Sequence, residues 1–131
     1  VNIAEIMTAI AEAVGGDSGD PRRVYDFPTA KPAVPCFIVG YPDGDIDLDA
    51  AMAGGGSRVT FPCWWVMGRR DERGIRDGLS AEIASIRWAI NADRTLGGAA
   101  QSARCTSASI EAVGIGGVEH VAVRFVVDVF A

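Results

Sequence analysis

One stretch limits what this chain can become more than any other. Over residues 71–92, Ile75, Leu79, Ile83, Ile86 and Ile90 step by 4, 4, 3 and 4, which holds all five on one stripe of an α-helix. At ~1.5 Å per residue that helix runs about 33 Å, close to the width of a small domain. Such a stripe needs an apolar surface to lie on. The chain supplies one in four strand-like runs: residues 34–41 and 58–68 before the helix, and 104–115 and 118–130 after it.

The local signals agree with that division. Ile3, Ile6, Met7, Ile10 and Val14 keep helical spacing over 2–14, with Asn2 and Glu5 placed as an N-cap and its capping-box partner. Gly15 and Gly16 supply the stop. Asp71 and Glu72 favour the start of the long helix, Arg87 lies near its other end, and Glu72 and Arg76 are spaced for an i,i+4 pair. Val24 to Phe27 can form a short extended piece within the proline-bearing loop 15–33. Pro62 lacks an N–H, which predicts a bulge or an edge position in strand 58–68. Gly116-Gly117 between two alternating runs predicts a tight hairpin, with Val121, Val123, Phe125, Val127 and Val129 facing one way. The expected fold is a single α+β domain, residues 1–131: a four-stranded, mainly antiparallel sheet with two helices, in the order α-β-β-α-β-β. Because the strands carry apolar residues on both sides, both sheet faces are expected to need cover.

Composition removes several function classes. At 49% hydrophobic and 22% charged the chain is ordinary globular protein, not disordered. Its net charge of −5 lacks the basic footprint of a duplex-binding domain. Cys36, Cys63 and Cys105 form no CxxC pair, and they read as small buried hydrophobes in a reducing compartment. No basic-then-apolar leader opens the sequence and no apolar run approaches ~20 residues. The expectation is a protein that is made and stays in cytoplasm.

The motifs that look chemical fail on inspection. Gly16-Asp17-Ser18-Gly19-Asp20 echoes a serine-protease loop, but the only histidine, His120, lies in a distant strand, and that chemistry needs a histidine beside the serine. Asp43, Asp45, Asp47 and Asp49 alternate like calcium ligands, yet the sixth and twelfth positions are Leu48 and Gly54, where an EF-hand needs Gly and Glu. Gly54-Gly55-Gly56 leads into a strand, whereas phosphate cradles lead into a helix. No catalytic, cofactor-binding or metal-binding residue is assigned.

The aromatic residues point to contacts between subunits. Trp88 falls roughly 140–220° around the long helix from the isoleucine stripe, at ~100° per residue, and shares that back with Ala81, Ala84 and Ala92. Either helix 2–14 packs there or a neighbouring subunit does. Trp64 and Trp65 are adjacent in a strand, so one of them leaves the core side. Candidate interface residues are therefore Trp88, Ala81, Ala84, Trp64 and Phe61, with strand 58–68 as the preferred edge.

The arrangement resembles the tail terminator proteins of long-tailed bacteriophages, the family of the lambda-type minor tail protein that caps the tail tube. The leading helix closing at Gly15-Gly16, two strands split by a long loop, the long helix closing on Asp93-Arg94-Thr95-Leu96-Gly97-Gly98, and the hairpin ending Arg124-Phe125-Val126-Val127-Asp128-Val129-Phe130 carry the resemblance. It implies a structural protein without enzyme activity or cofactor, assembled into a homo-oligomeric ring, typically a hexamer. That ring stops growth of the tail tube and offers a surface to the head-tail connector. The implied partners are other copies of itself, the tail-tube protein and the connector, with DNA only in passage and no membrane. The implied location is host cytoplasm during assembly and then the virion tail. Asp43, Asp45, Asp47 and Asp49 then either rim the channel or dock a basic surface on an adjoining ring. Two other readings stay open: a small ligand-binding or enzymatic domain that uses the long loops, and another phage neck or adaptor protein.

Overall fold

The computed structural model describes residues 2–16, 22–48, 56–68 and 72–131, the Glu72 side chain excepted. Its elements are α1 (Ile3–Gly15), β1 (Val24–Tyr25), β2 (Cys36–Val39), β3 (Arg58–Val66), α2 (Glu72–Ala92), a 3-10 turn at Leu96–Gly98, β4 (Ser102–Ile115) and β5 (Val118–Phe130). Local chemistry accounts for most of the boundaries. Asn2 Oδ1 accepts the Glu5 N–H at 3.1 Å and starts α1. At the other end Gly16 has φ −84°, so the stop is not a left-handed one. Gly15 serves close approach instead: a Cβ there would meet Val24 Cγ2 at 2.9 Å. Gly116 and Gly117 have φ 59° and 80°, as a two-residue type I′ turn between β4 and β5 requires.

The sheet is where expectation and structure part. Among the described residues it has five strands in the order β1-β2-β3-β5-β4. The extra strand is β1, two residues long and parallel to β2, so the sheet is mixed. All other pairings are antiparallel. β5 is inserted between β3 and β4, and α2 makes the crossover between those two. Strand 58–68 is thus interior, not an edge.

Pro62 is tolerated because of what lies opposite it. In an antiparallel ladder a residue's N–H and C=O point to the same neighbour. The Pro62 carbonyl accepts the Gly40 N–H at 2.7 Å, so the missing donor faces Gly40, just past the end of β2. The side facing β5 keeps its register without a break. The approach at Gly40 is tight: a Cβ would meet the Trp64 ring at 2.6 Å and the Pro62 carbonyl at 2.8 Å. Gly40→Ala is therefore expected to lose roughly 1–3 kcal/mol by overpacking. Urea denaturation measures it, and a loss below about 0.5 kcal/mol would contradict this packing.

Both helices lie on one sheet face. Val59, Phe61, Cys63 and Trp65 of β3 alternate toward it, as do Val123, Phe125, Val127 and Val129 of β5. They meet Ile6, Ile10 and Val14 of α1 and Ile86 and Ile90 of α2. The α2 stripe faces the core as its spacing predicts, but unevenly: Ile86 and Ile90 are fully buried, while Ile75, Leu79 and Ile83 are half-buried at the margin. Arg22 clamps the preceding loop to α2. Its side chain is 2% exposed and lies 3.9 Å from Glu82. It also donates to Ser85 Oγ and sits over the Trp65 ring.

The opposite face carries only a small cluster of Cys36, Ile38, Val66 and Ala122, flanked by Tyr25, Val34, Trp64, Val113 and Ile115. Among the described residues no helix covers it. The expectation of cover on both faces is met by helices on one side only.

Candidate functional site

Three surfaces were singled out in the sequence, and the fold treats them differently. Trp88 is 66% exposed, with Ala81 and Ala84 exposed beside it. Helix α1 does not cover them: it turns Ile6, Met7, Ile10, Ala11 and Val14 into the sheet-side core. The back of α2 is thus an open apolar patch. Phe61, in contrast, is 0% exposed and belongs to the core, so it offers nothing to a neighbour. Trp64 does leave the helix side, as one of the tryptophan pair must. It is half-buried on the other face, where its Nε1–H donates to Glu111 Oε1.

The free long edge of the sheet is β4, not β3. Its beginning is covered. Ala103 N–H donates to Arg94 O at 2.6 Å and Cys105 N–H to Asn91 Oδ1 at 2.8 Å. A register shift between Cys105 and Ser107 then leaves Thr106 out of the ladder. Beyond it every side chain from Thr106 to Ala112 is exposed, Ile110 by 51%. Among the described residues nothing pairs with the outer side of that stretch.

The acidic segment continues from β2 along the same side of β3. Asp43 N–H donates to Thr60 O at 2.9 Å, and Asp47 and Arg58 exchange both backbone bonds at 3.0 and 2.8 Å. Asp43, Asp45 and Asp47 are exposed, while Asp49 lies outside the described residues, as do Gly54 and Gly55. Asp43 binds the Arg124 guanidinium at 2.7 Å. Arg58 makes a two-pronged bond to Asp128 at 3.2 and 2.7 Å, which raises the arginine's pKa, chiefly through that hydrogen bond and the carboxylate's charge. Tyr41 is exposed just ahead of the aspartates, and Ile46 and Leu48 are exposed between them.

A basic cluster escaped the sequence reading. Arg87, Arg94 and Arg104 line one cleft with Asn91, Ala103 and Thr106, where the C-terminal part of α2 meets the covered start of β4, and Arg94 and Arg104 share the adjoining cleft with Asp47, Arg58 and Asp128. Among the described residues none of the three makes a close ion pair, although Asp128 lies directly across the ladder from Arg104. The expected Glu72–Arg76 pair involves a side chain outside the described ones; Arg76 bonds Asp77 at 2.9 Å.

The remaining candidates for chemistry do not converge. Among the described residues no three His, Cys, Asp or Glu side chains gather as metal ligands. His120 lies across the hairpin from Val113. The Gly16–Asp20 run lies mostly outside the described residues. Cys36, Cys63 and Cys105 are unpaired and buried. No described helix is long and apolar enough to cross a membrane. No protein-family model and no curated protein sequence matches this chain.

Proposed function

We propose that this chain is a self-assembling structural subunit, the ring-forming terminator of a long-tailed phage tail. The ring, a hexamer in this reading, caps the tail tube, stops its growth and presents the head-joining surface to the connector. The observation that carries the proposal is Trp88. A tryptophan two-thirds exposed, on a helix whose other side is already committed to the core, is typical of an interface anchor rather than of free surface. The α+β fold with two helices agrees with the architecture that the resemblance implies.

The test is mass in solution over a wide concentration range, by light scattering. Wild type is expected to form closed multiples of the monomer. Trp88→Glu is expected to stay folded, by circular dichroism, and to lose at least tenfold in association. A wild type that remains monomeric throughout would sink the proposal. A Trp88→Glu variant that cannot fold would place Trp88 in the core.

Of the two roles for the acidic segment, docking has the better support. A channel rim in contact with water and DNA has no use for Tyr41, Ile46 and Leu48 exposed beside and between the aspartates, whereas a docking surface does. The ligand-binding or enzyme alternative has less support: the clefts are lined by arginines and aspartates rather than by an apolar pocket with a few convergent polar groups.

A further inference from the structure

The open part of β4 can be read down to single backbone groups. A two-residue turn joins β4 to β5, so Ile115 and Val118 beside it form a hydrogen-bonded pair. In an antiparallel ladder such pairs recur at every second residue. Val113, Glu111 and Ser109 therefore spend their N–H and C=O groups on His120, Ala122 and Arg124. Those of Ala108, Ile110, Ala112 and Gly114 point outward, and among the described residues nothing bonds them. All four residues are exposed.

The composition of this edge does not defend it. From Thr106 to Ile115 there is no Lys, Arg or Pro, the residues that blunt open edges in monomeric proteins. Its one charge, Glu111, lies on the helix-free face, where Oε1 accepts from Trp64 Nε1–H. On the other face α2 stands over the edge. Asn91 reaches the outer side of Cys105, and Ile83 and Arg87 line a cleft with Ala108. Ala84, about two turns before Asn91 and roughly 20° around the helix from it, continues that flank and is exposed. A strand laid along β4 would find backbone partners beside it and a helix flank above.

The run around Ile110 is its own complement. Set antiparallel to itself about Ile110, residues 108 and 112 face each other, as do 109 and 111, and Ile110 faces its own copy. An alanine pair then stands on either side of the paired isoleucines. Ser109 meets Glu111, whose second oxygen can accept the serine hydroxyl while the first holds Trp64. Centring the pair on Glu111 instead would oppose two carboxylates, which destabilises a cross-strand pair.

We infer that two copies of this chain pair through β4, antiparallel about a two-fold axis at Ile110, and join their sheets into one. Such a contact uses the same patch on both copies and is complete at two. It goes beyond the ring reading and does not rest on it, since a ring needs a further contact, such as the one at Trp88.

Charges placed at the axis test the pairing. Ile110→Lys and Ile110→Glu each set like charges opposite one another, while an equimolar mixture of the two lets opposite charges meet. Ser109→Glu sets a carboxylate against Glu111 of the other copy, on the helix-free face. All these positions are exposed, and circular dichroism checks that each variant is folded. Sedimentation velocity over a wide concentration range reads the mass. Wild type is expected to pair, each variant alone to pair at least tenfold more weakly, and the mixture to regain pairs. Ile110→Lys or Ser109→Glu pairing like wild type overturns the inference and leaves the ring reading standing, as does a mixture that stays monomeric. Wild type that stops at two copies supports the pair and leaves the ring without support. Wild type that is monomeric at every concentration removes both.

Discussion

Ile86→Asp is expected to abolish cooperative folding, whereas Ile83→Asp, one turn away on the same stripe, is expected to leave a folded but weakened domain. Ile86 is fully enclosed among residues of both helices and the sheet; Ile83 packs on the core only from its margin. Removing a buried isoleucine alone costs about 2–5 kcal/mol. Placing an unpaired carboxyl there adds several more, against a total stability of roughly 5–15 kcal/mol for a domain. At Ile83 the carboxylate can stay in water, so only part of the apolar contribution is lost. Thermal unfolding followed by circular dichroism separates the two. A normal sigmoidal transition for Ile86→Asp, or equal losses at both positions, would mean that α2 is rotated from the orientation described.

Alkylation of the three thiols is expected to be slower in the native protein than in the denatured chain by on the order of a thousandfold or more, the rarity of the unfolded state. Cys36, Cys63 and Cys105 are all buried, and the thiolate is the species that reacts. Burial raises the pKa of each thiol, most at Cys63, where a Gly40 backbone hydrogen bond offsets little of it. Arg23 beside Cys36 and Arg87 beside Cys105 pull the other way, and of the two only Cys105 borders the clefts beside β4 and keeps some exposure. It should label first. Mass spectrometry after iodoacetamide treatment gives the order. Fast labelling of Cys63 in folded protein would contradict its place beneath the helices.

The elements legible in the sequence are those whose chemistry is local. The spacing of Ile75 to Ile90, the Asn2 cap and the Gly116-Gly117 turn each depend on neighbours a few residues away. β1 was visible only as an extended piece, because two residues show no alternation and its parallel pairing depends on β2, more than ten residues on. β3 read as an edge because a proline is a local signal, while the reason it is tolerated lies with Gly40. The same local signal puts Phe61 on the surface, whereas in an interior strand it points into the core. The aspartates were legible as a run. The arginine cluster was not, because Arg87, Arg94 and Arg104 come from a helix, a turn and a strand that only the α2 crossover brings together. One trace was present. Arg87 has Ile83, Ala84, Ile90 and Asn91 three and four positions away, so it has no carboxylate along its own helix.

The insertion of β5 between β3 and β4 sets a clock on biosynthesis. β3 leaves the ribosome before α2, yet the neighbour that fills most of its length is the last of the five strands to be made. At about 5–20 residues per second, several seconds pass before that partner exists. Through that interval Phe61, Cys63 and Trp65 have no β5 beside them. The nascent chain therefore depends on α1 and β2 for shelter, or on a chaperone. Slow codons placed between α2 and β5 would lengthen the exposure and lower the yield of folded protein, while the same codons after β5 would not.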